Sequence, residues 1–462
     1  MSKIDEKRNK RQLLRERLKR HKKPDNYAKL LCLWLSEAES NVDLAHVLQS
    51  LQDNRKDYNQ LAVCREIIVK FTNKARITNR GFDWLKAIDQ LLQDYQDFGE
   101  VVPSDLYISK YYCLVCSSTF HPEAEKCLSK AITLSRSLIE KIEAYLVLAQ
   151  YYVNISEYSK IKKLTIECEA ICNKVPDSDL YLARTYYLRG LYYFYNFRFH
   201  KSRYYLNQAQ VKFESLLRNQ KHHQQLITQL SSCFHYIGRT YFEQYNFFNA
   251  ANLYIQSQEL IEEEWKQNSL TPNLGKTAYY HLRLGEILEA CKIEGSATYH
   301  FEKARNVYTG MSSLGGVAHV NLALAKLIGN PSFQLDESAE ETFKKREKQI
   351  KDSAAQASKV GYVRLELMAF IQLLSLYVEN LKFALAIDLV LTILSSKEFY
   401  NLGYIFLISF TYKIGFKLYY KIKFDFNRTF RKNKILYSCP CSDPKCKLRN
   451  KDRQEIAMVE KG

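Results

Sequence analysis

Helix-breaking residues are what this sequence has least of. Its 462 residues include only 15 glycines and 8 prolines, against average usages of about 7% and 5%. So few turns and breakers mean long uninterrupted elements, which argues against a many-stranded sandwich and for helices. Long hydrophobic runs are also missing. The most apolar stretch, Leu402 to Phe410, falls far short of the roughly 20 residues a membrane span needs. The opening MSKIDEKRNKRQLLRERLKRHKK is charged throughout and lacks the apolar core of a signal peptide. Twelve cysteines in a chain this long do not make the dense framework of a small secreted domain. Several fall on predicted helix faces, where they act as small hydrophobes. The expected setting is cytoplasmic and reducing.

Signatures of chemistry are absent as well. There is no phosphate-binding loop, HExxH helix, GxSxG elbow, kinase set or dinucleotide fingerprint. The expectation is a protein that is not an enzyme and needs no cofactor. The ten histidines form no close pair at metal spacing apart from His222–His223. Cys113 and Cys116 spell CxxC, but inside a predicted helix, flanking packing positions rather than opening a redox helix. Cys439, Cys441 and Cys446 in CPCSDPKC could ligate zinc, yet a structural site wants four ligands and no histidine lies nearby. The reading is tail cysteines and no metal.

What the chain does have is core-forming material: 46% hydrophobic and 13% aromatic residues, enough to exclude general disorder. Its net charge of +18 sits at the ends. Residues 1–23 hold 11 basic residues against 3 acidic, residues 411–462 hold 14 against 5, and the body between has 43 against 42. Basic ends can touch phosphate backbones, anionic membrane or acidic partners, or simply solubilise.

The middle of the chain repeats itself. When YLRGLYYFYNFRFHKSRYYLNQAQ (187–210) is set beneath HYIGRTYFEQYNFFNAANLYIQSQ (235–258), Gly190 falls on Gly238, Tyr193 on Tyr241 and Phe199 on Phe247. Ser202 then meets Ala250, Leu206 meets Tyr254 and Ala209 meets Ser257. LRLGEILEACKIEGSATYHFEKA (282–304) continues the series with Gly285, Leu288, Ala297, Phe301 and Ala304. The rule is a small residue, an apolar one at +3, a small one at +12, a bulky one at +16 and a small one at +19. A small residue on a first helix lets the second approach closely, and the residue at +3 packs one turn on along the same face. One such pair cannot bury its apolar face alone, so pairs must stack.

Weaker copies extend the array. Upstream are Tyr112, Val115, Ala124, Leu128 and Ala131, then Ala149, Tyr152, Ile161, Thr165 and Cys168. Downstream, Ala325 and Ile328 begin a copy whose second helix comes late, after an insertion with Pro331, and Asp336 is its expected N-cap. Leu374, Tyr377, Ala386, Val390 and Ile393 give the last copy. The anchors are 37 to 49 residues apart, longer than a 34-residue unit.

This pattern resembles the tetratricopeptide-repeat family, as a divergent variant with long helices, over about 105 to 400. The early tryptophan of the family pattern is missing from every copy, and the terminal proline nearly so. The resemblance implies an all-α fold, a right-handed superhelical solenoid of stacked antiparallel helix pairs, about seven of them. It also implies that first-helix side chains line a concave groove holding an extended peptide or partner helix. By position, that nominates Arg184, Tyr187, Leu191, Phe194 and Tyr195, then Ser232, His235, Arg239, Phe242 and Glu243, then Glu286 and Glu289. Arg, aromatics and Glu together suit a mixed-charge or amphipathic ligand. The Lys/Asn set with which the chaperone-tail version of the fold clamps a terminal carboxylate is not found.

Around the array lie a basic arm (1–23), a helical stretch (24–104) and a basic, aromatic stretch (401–437), then a cysteine-containing tail (438–462). The 24–104 stretch reads as a cap on the first repeat or, alternatively, a divergent DNA-binding helix-turn-helix. Phe416, Lys417, Tyr419, Tyr420 and Lys421 belong to a stretch that reads as a final capping helix, or as a surface for bases or membrane. The functional expectation is a scaffold or regulatory adaptor that binds a protein or peptide in its groove. The alternative is a nucleic-acid-associated regulator using its basic ends.

Overall fold

The computed structural model describes residues 61–62, 64–66, 68–69, 81–115, 121–219, 224–268, 274–328 and 338–395. The basic arm, much of the 24–104 stretch, Cys116, His222–His223, the Pro331 insertion with Asp336, the 401–437 segment and Cys439, Cys441 and Cys446 lie outside the described residues. Among the described residues the chain is all α, with no strand. It divides into two compact units, 1–148 and 149–462.

The first unit contains α1 (Gly81–Asp97), α2 (Ser104–Leu114), α3 (Ala124–Leu134) and the start of α4 (Leu138–Asn154). Its core is Trp84, Ile88, Leu106, Leu114, Leu128 and Ile142, each nearly or fully buried. Arg65 grips Asp105 with two nitrogens at 2.7–2.9 Å, and Lys110 pairs with Asp89 at 2.7 Å.

The second unit continues with α5 (Tyr158–Cys172), α6 (Asp179–Tyr195), α7 (Phe199–Asn219), α8 (Gln224–Glu243), α9 (Phe247–Asn268), α10 (Leu274–Ala290) and α11 (Glu294–Gly310). Then come α12 (Leu314–Ala325), α13 (Ala339–Lys359), α14 (Val363–Glu379) and α15 (Phe383–Ser395). From α5 to α15 each helix packs on the one that follows it. These are stacked, antiparallel helix pairs of the tetratricopeptide-like kind.

The seams of three pairs, α6 with α7, α8 with α9 and α10 with α11, show why. A Cβ on Gly190 would come within 2.6 Å of Leu206, on Gly238 within 2.7 Å of the Tyr254 ring, and on Gly285 within 2.6 Å of the Phe301 ring. Leu206, Tyr254 and Phe301 are at most 1% exposed. Only the absence of a side chain lets the bulky residue at +16 lie flat on the first helix. At the other end of the contact, the Ser202 hydroxyl donates to the Gly190 carbonyl at 2.9 Å.

The turns inside the pairs carry the same register in the backbone. Two residues past the ends of α4, α6, α8, α10 and α14, the chain turns left-handed at Ser156, Phe197, Tyr245, Lys292 and Leu381, with φ between 55° and 68°. The next N–H then reaches back, from Glu157 to Tyr152, Arg198 to Tyr193, Asn246 to Tyr241, Ile293 to Leu288 and Lys382 to Tyr377, at 2.8–2.9 Å. This closure satisfies carbonyls a helix end would leave bare. Every acceptor is the +3 residue of its copy.

One sequence expectation needs correction. The helix after the Pro331 insertion is capped by Ser338, not Asp336. Ser338 and Glu341 form a reciprocal capping box, with the Glu341 N–H donating to the Ser338 hydroxyl at 3.2 Å and the Ser338 N–H to the Glu341 carboxylate at 3.1 Å. Asp336 comes two residues too early to compete. In the same copy Ala325 is the last residue of α12, and it shares burial against α13 with Ala318 and Leu322.

Candidate partner-binding face

The first helices α6, α8, α10, α12 and α14 turn a second face away from their partners, and its side chains touch from pair to pair. Tyr195 of α6 stacks on Tyr158 of α5, with centroids 4.5 Å apart and planes 13° apart, and its hydroxyl meets that of Tyr236 of α8 at 3.2 Å. Tyr187 lies edge-on to Tyr236 at 6.0 Å. His235 lies 4.4 Å from the Tyr279 ring of α10 and stacks on Tyr254 at 5.1 Å. Arg283 donates to the Tyr279 hydroxyl at 2.7 Å and pairs with Glu286 at 2.5 Å. Glu286 also faces His319 of α12 at 3.6 Å. Arg364 of α14 comes round to lie 4.4 Å over Tyr195. α14 can reach α6 only if the row of first helices curves so that these faces share one space.

That space is polar, aromatic and positively charged. Among the described residues, Arg239, Arg283, Arg364 and Lys276 stand against one carboxylate of the network, Glu286. Burial alone would raise the Glu286 pKa, but Arg283, helped by His319 and Lys326, holds it well below the usual carboxylate range. Burial pushes His235 well below its ordinary value, and the charges of Arg283 and Arg239 push it further. His319 is likewise lowered by burial, which outweighs its contact with Glu286. Lys276, donating to the Ser232 hydroxyl at 2.6 Å, is pulled down to about 8 by burial. Between α8, α9 and α10 a small pocket is lined by Ser231, His235, Tyr254, Ser257, Lys276 and Tyr279. The His235 Nε2 and Tyr254 hydroxyl there are buried without a hydrogen-bond partner among the described residues.

The residues nominated from the sequence divide in three. Tyr187, Tyr195, His235, Arg239 and Glu286 belong to this face, and half-buried Ser232 joins it through Lys276. Leu191 and Phe194 are 1% and 2% exposed and sit in the interior, and Phe242 packs beside Phe247 in the seam of its pair. Arg184 and Glu243 are half-buried on the same helices, and Glu289 pairs with Lys326 at 3.8 Å.

Sequence reasoning missed Tyr158, Tyr236, Tyr279, Arg283, His319 and Arg364. Tyr279 was findable, because it stands six residues before Gly285 just as Arg184 and Ser232 stand before Gly190 and Gly238. Arg283 matches Tyr236 by the same reckoning, two residues before the glycine. Arg364 carries no such signal, since its place depends on how far the row curves. Among the described residues no group of three or more His, Cys, Asp or Glu could hold a metal ion, and no helix is long and apolar enough to cross a membrane.

No family model and no curated protein sequence matches the chain. Solved structures do. A signal transduction ATPase with numerous domains that carries a tetratricopeptide repeat sensor, from Pyrococcus horikoshii, is similar at 15% identity and a TM-score of 0.48, over 86% of this chain and 54% of that one. The chain thus spans about half of that protein's length. Aspartyl phosphate phosphatase F from Bacillus subtilis is similar at 14% identity and a TM-score of 0.47, over 86% of this chain and 96% of that one. The apo form of the quorum sensor NprR from B. thuringiensis is similar at 13% identity and a TM-score of 0.42, over 84% and 94% of the two chains.

Proposed function

We propose that the chain is a non-enzymatic adaptor or regulatory sensor that holds a peptide, or an extended segment of a partner protein, along the inner face of α6, α8, α10, α12 and α14. The observation that carries this reading is the face itself. Five successive first helices bring tyrosines, arginines and histidines into one network with surplus positive charge. Packing does not need such a network: the seams of three of the same pairs are closed by glycine against leucine, tyrosine and phenylalanine. Aromatic and arginine side chains are the types that anchor bound partners, and a preformed row of them limits the ordering a ligand must impose.

Pull-down with the full chain tests the reading. Specific partners are expected on wild-type protein, and Arg239→Glu or Tyr195→Ala should release them without changing the helical circular dichroism. Partners retained in full by both variants would place binding elsewhere on the molecule.

A further inference from the structure

The second unit treats its buried arginines in two ways. Arg189 and Arg283 are each 6% exposed, and each is matched by polar partners. Arg189 meets Glu169 at 2.5 Å and the Thr165 carbonyl at 2.7 Å, while Arg283 meets Glu286 and the Tyr279 hydroxyl. Arg239 is 9% exposed, and no carboxylate or carbonyl among the described residues meets it. Its guanidinium lies only against rings, 4.6 Å from the centroid of Phe194 and 5.5 Å from that of Tyr236. Arg364, which is half-buried, is also without a carboxylate among the described residues; it covers Tyr195 and interacts with the Tyr158 hydroxyl. The nearby acid, Glu286, is already engaged by Arg283 and His319.

Tyr195 joins the two unmatched cations. Its ring lies under Arg364, and its hydroxyl touches that of Tyr236, the ring beside Arg239. A guanidinium taken out of water without an anion costs more than a ring face returns. Arg239 retains 9% of its surface exposed, so the residue is not wholly enclosed. The guanidinium fork is built to take two oxygens of one anion side by side.

We propose that Arg239 and Arg364 form an oxyanion subsite on the inner face, filled by a carboxylate of the bound peptide, which ties α8 to α14. This rests on the reading of that face as a peptide-binding surface. The carboxylate belongs to an acidic side chain or to the peptide's C-terminus.

Random dodecapeptides selected on the full chain by display supply the probe. Enriched sequences are synthesised unmodified, with each acidic side chain as its amide, and with an amidated C-terminus. Each is titrated against wild-type, Arg239→Gln and Arg364→Gln protein, with inorganic phosphate and sulfate as competitors. The expected result is that one particular amide form loses at least tenfold in affinity for wild-type protein. Each glutamine variant should lose at least tenfold for the parent peptide and little further for that amide form, the non-additivity expected of two groups in contact. The form that loses affinity identifies side chain or terminus as the source. Arg239→Lys keeps the charge but not the fork, so it should fall between wild type and glutamine, and it serves if a glutamine variant fails to fold. Peptides that bind both glutamine variants and all amide forms as well as wild type would overturn the subsite while leaving the peptide-binding reading standing. Phosphate or sulfate that binds at the two arginines while peptide binding stays unchanged would assign the site to a free anion and overturn the peptide carboxylate. A selection that enriches nothing would overturn the reading on which the subsite rests.

Discussion

At Gly238, helix α8 is packed so closely that one added carbon would meet the Tyr254 ring at 2.7 Å. One residue further on, at Arg239, the same helix carries a buried charge with no counter-charge among the described residues. The difference separates two tasks. The seam within a pair holds the array together, so it is filled with small residues against large ones. The inner face is held in place by that seam, and its side chains can therefore depart from what stability alone would choose. Proteins accept such departures where a ligand will complete the arrangement.

The sharpest way to break the contrast is to remove the Glu286 carboxylate from the inner network. Glu286→Gln leaves Arg283 buried without its counter-charge, and breaking a buried pair on one side costs about 3–5 kcal/mol. Thermal or urea unfolding should show that loss; a change below about 1 kcal/mol would mean that the pair is solvated rather than buried.

The seam is tested by Gly238→Leu. Overpacking costs about 1–3 kcal/mol, whereas leaving glycine in an exposed helix would gain about 0.8–1.0 kcal/mol through propensity. The two accounts differ in sign, and a melting curve decides between them.

Acid should act on the inner face and spare the seam. His235 and His319 titrate lower in the folded chain than their ordinary 6.5, so the unfolded chain binds more protons as pH falls below about 6.5 and stability drops there. Glu286, also lowered, adds a second loss below its ordinary 4.5. Lys276 has the same sign at the alkaline end: its burial penalty, full below about 8, is relieved as pH rises toward 10.5. Urea unfolding from pH 4 to 7 should show a midpoint that climbs with pH, and His235→Phe should flatten the slope. A flat profile in the wild-type protein would contradict the burial of both histidines.

The smallest effect belongs to a turn. Lys292 is exposed and left-handed at φ 65°. Lys292→Gly should stabilise by about 1 kcal/mol, because a side chain in that region costs about 1–2 kcal/mol. A loss of stability would mean that the side chain holds the turn.

The seam was legible in the sequence because close packing leaves a fixed signature at fixed spacing. Gly190, Gly238 and Gly285 marked it, and each +3 residue turned out to accept the hydrogen bond that closes its turn. The inner face was legible only in part. Position within a repeat pointed to Tyr195, His235, Arg239 and Glu286, but the same rule also gave Leu191 and Phe194, which the structure buries. A position on a helix fixes direction, not depth. Arg364 lay beyond any periodic rule, because its neighbours Tyr158 and Tyr195 come from pairs far back along the chain. The start of α13 was misplaced for a local reason, since the Ser338–Glu341 box outcompetes the nearby aspartate.

The central claim is that the inner face gives up stability for binding, and the unfolding of Arg239→Met tests it most directly. Methionine keeps much of the side-chain bulk and removes the unmatched charge. The variant should unfold about 1–2 kcal/mol later than wild type, since relief of a buried charge exceeds the loss of a ring contact worth about 0.5–2 kcal/mol, and it should no longer capture the partner. A variant that is less stable than wild type and still binds in full would show that Arg239 is a structural residue and that the face is only a second packing layer.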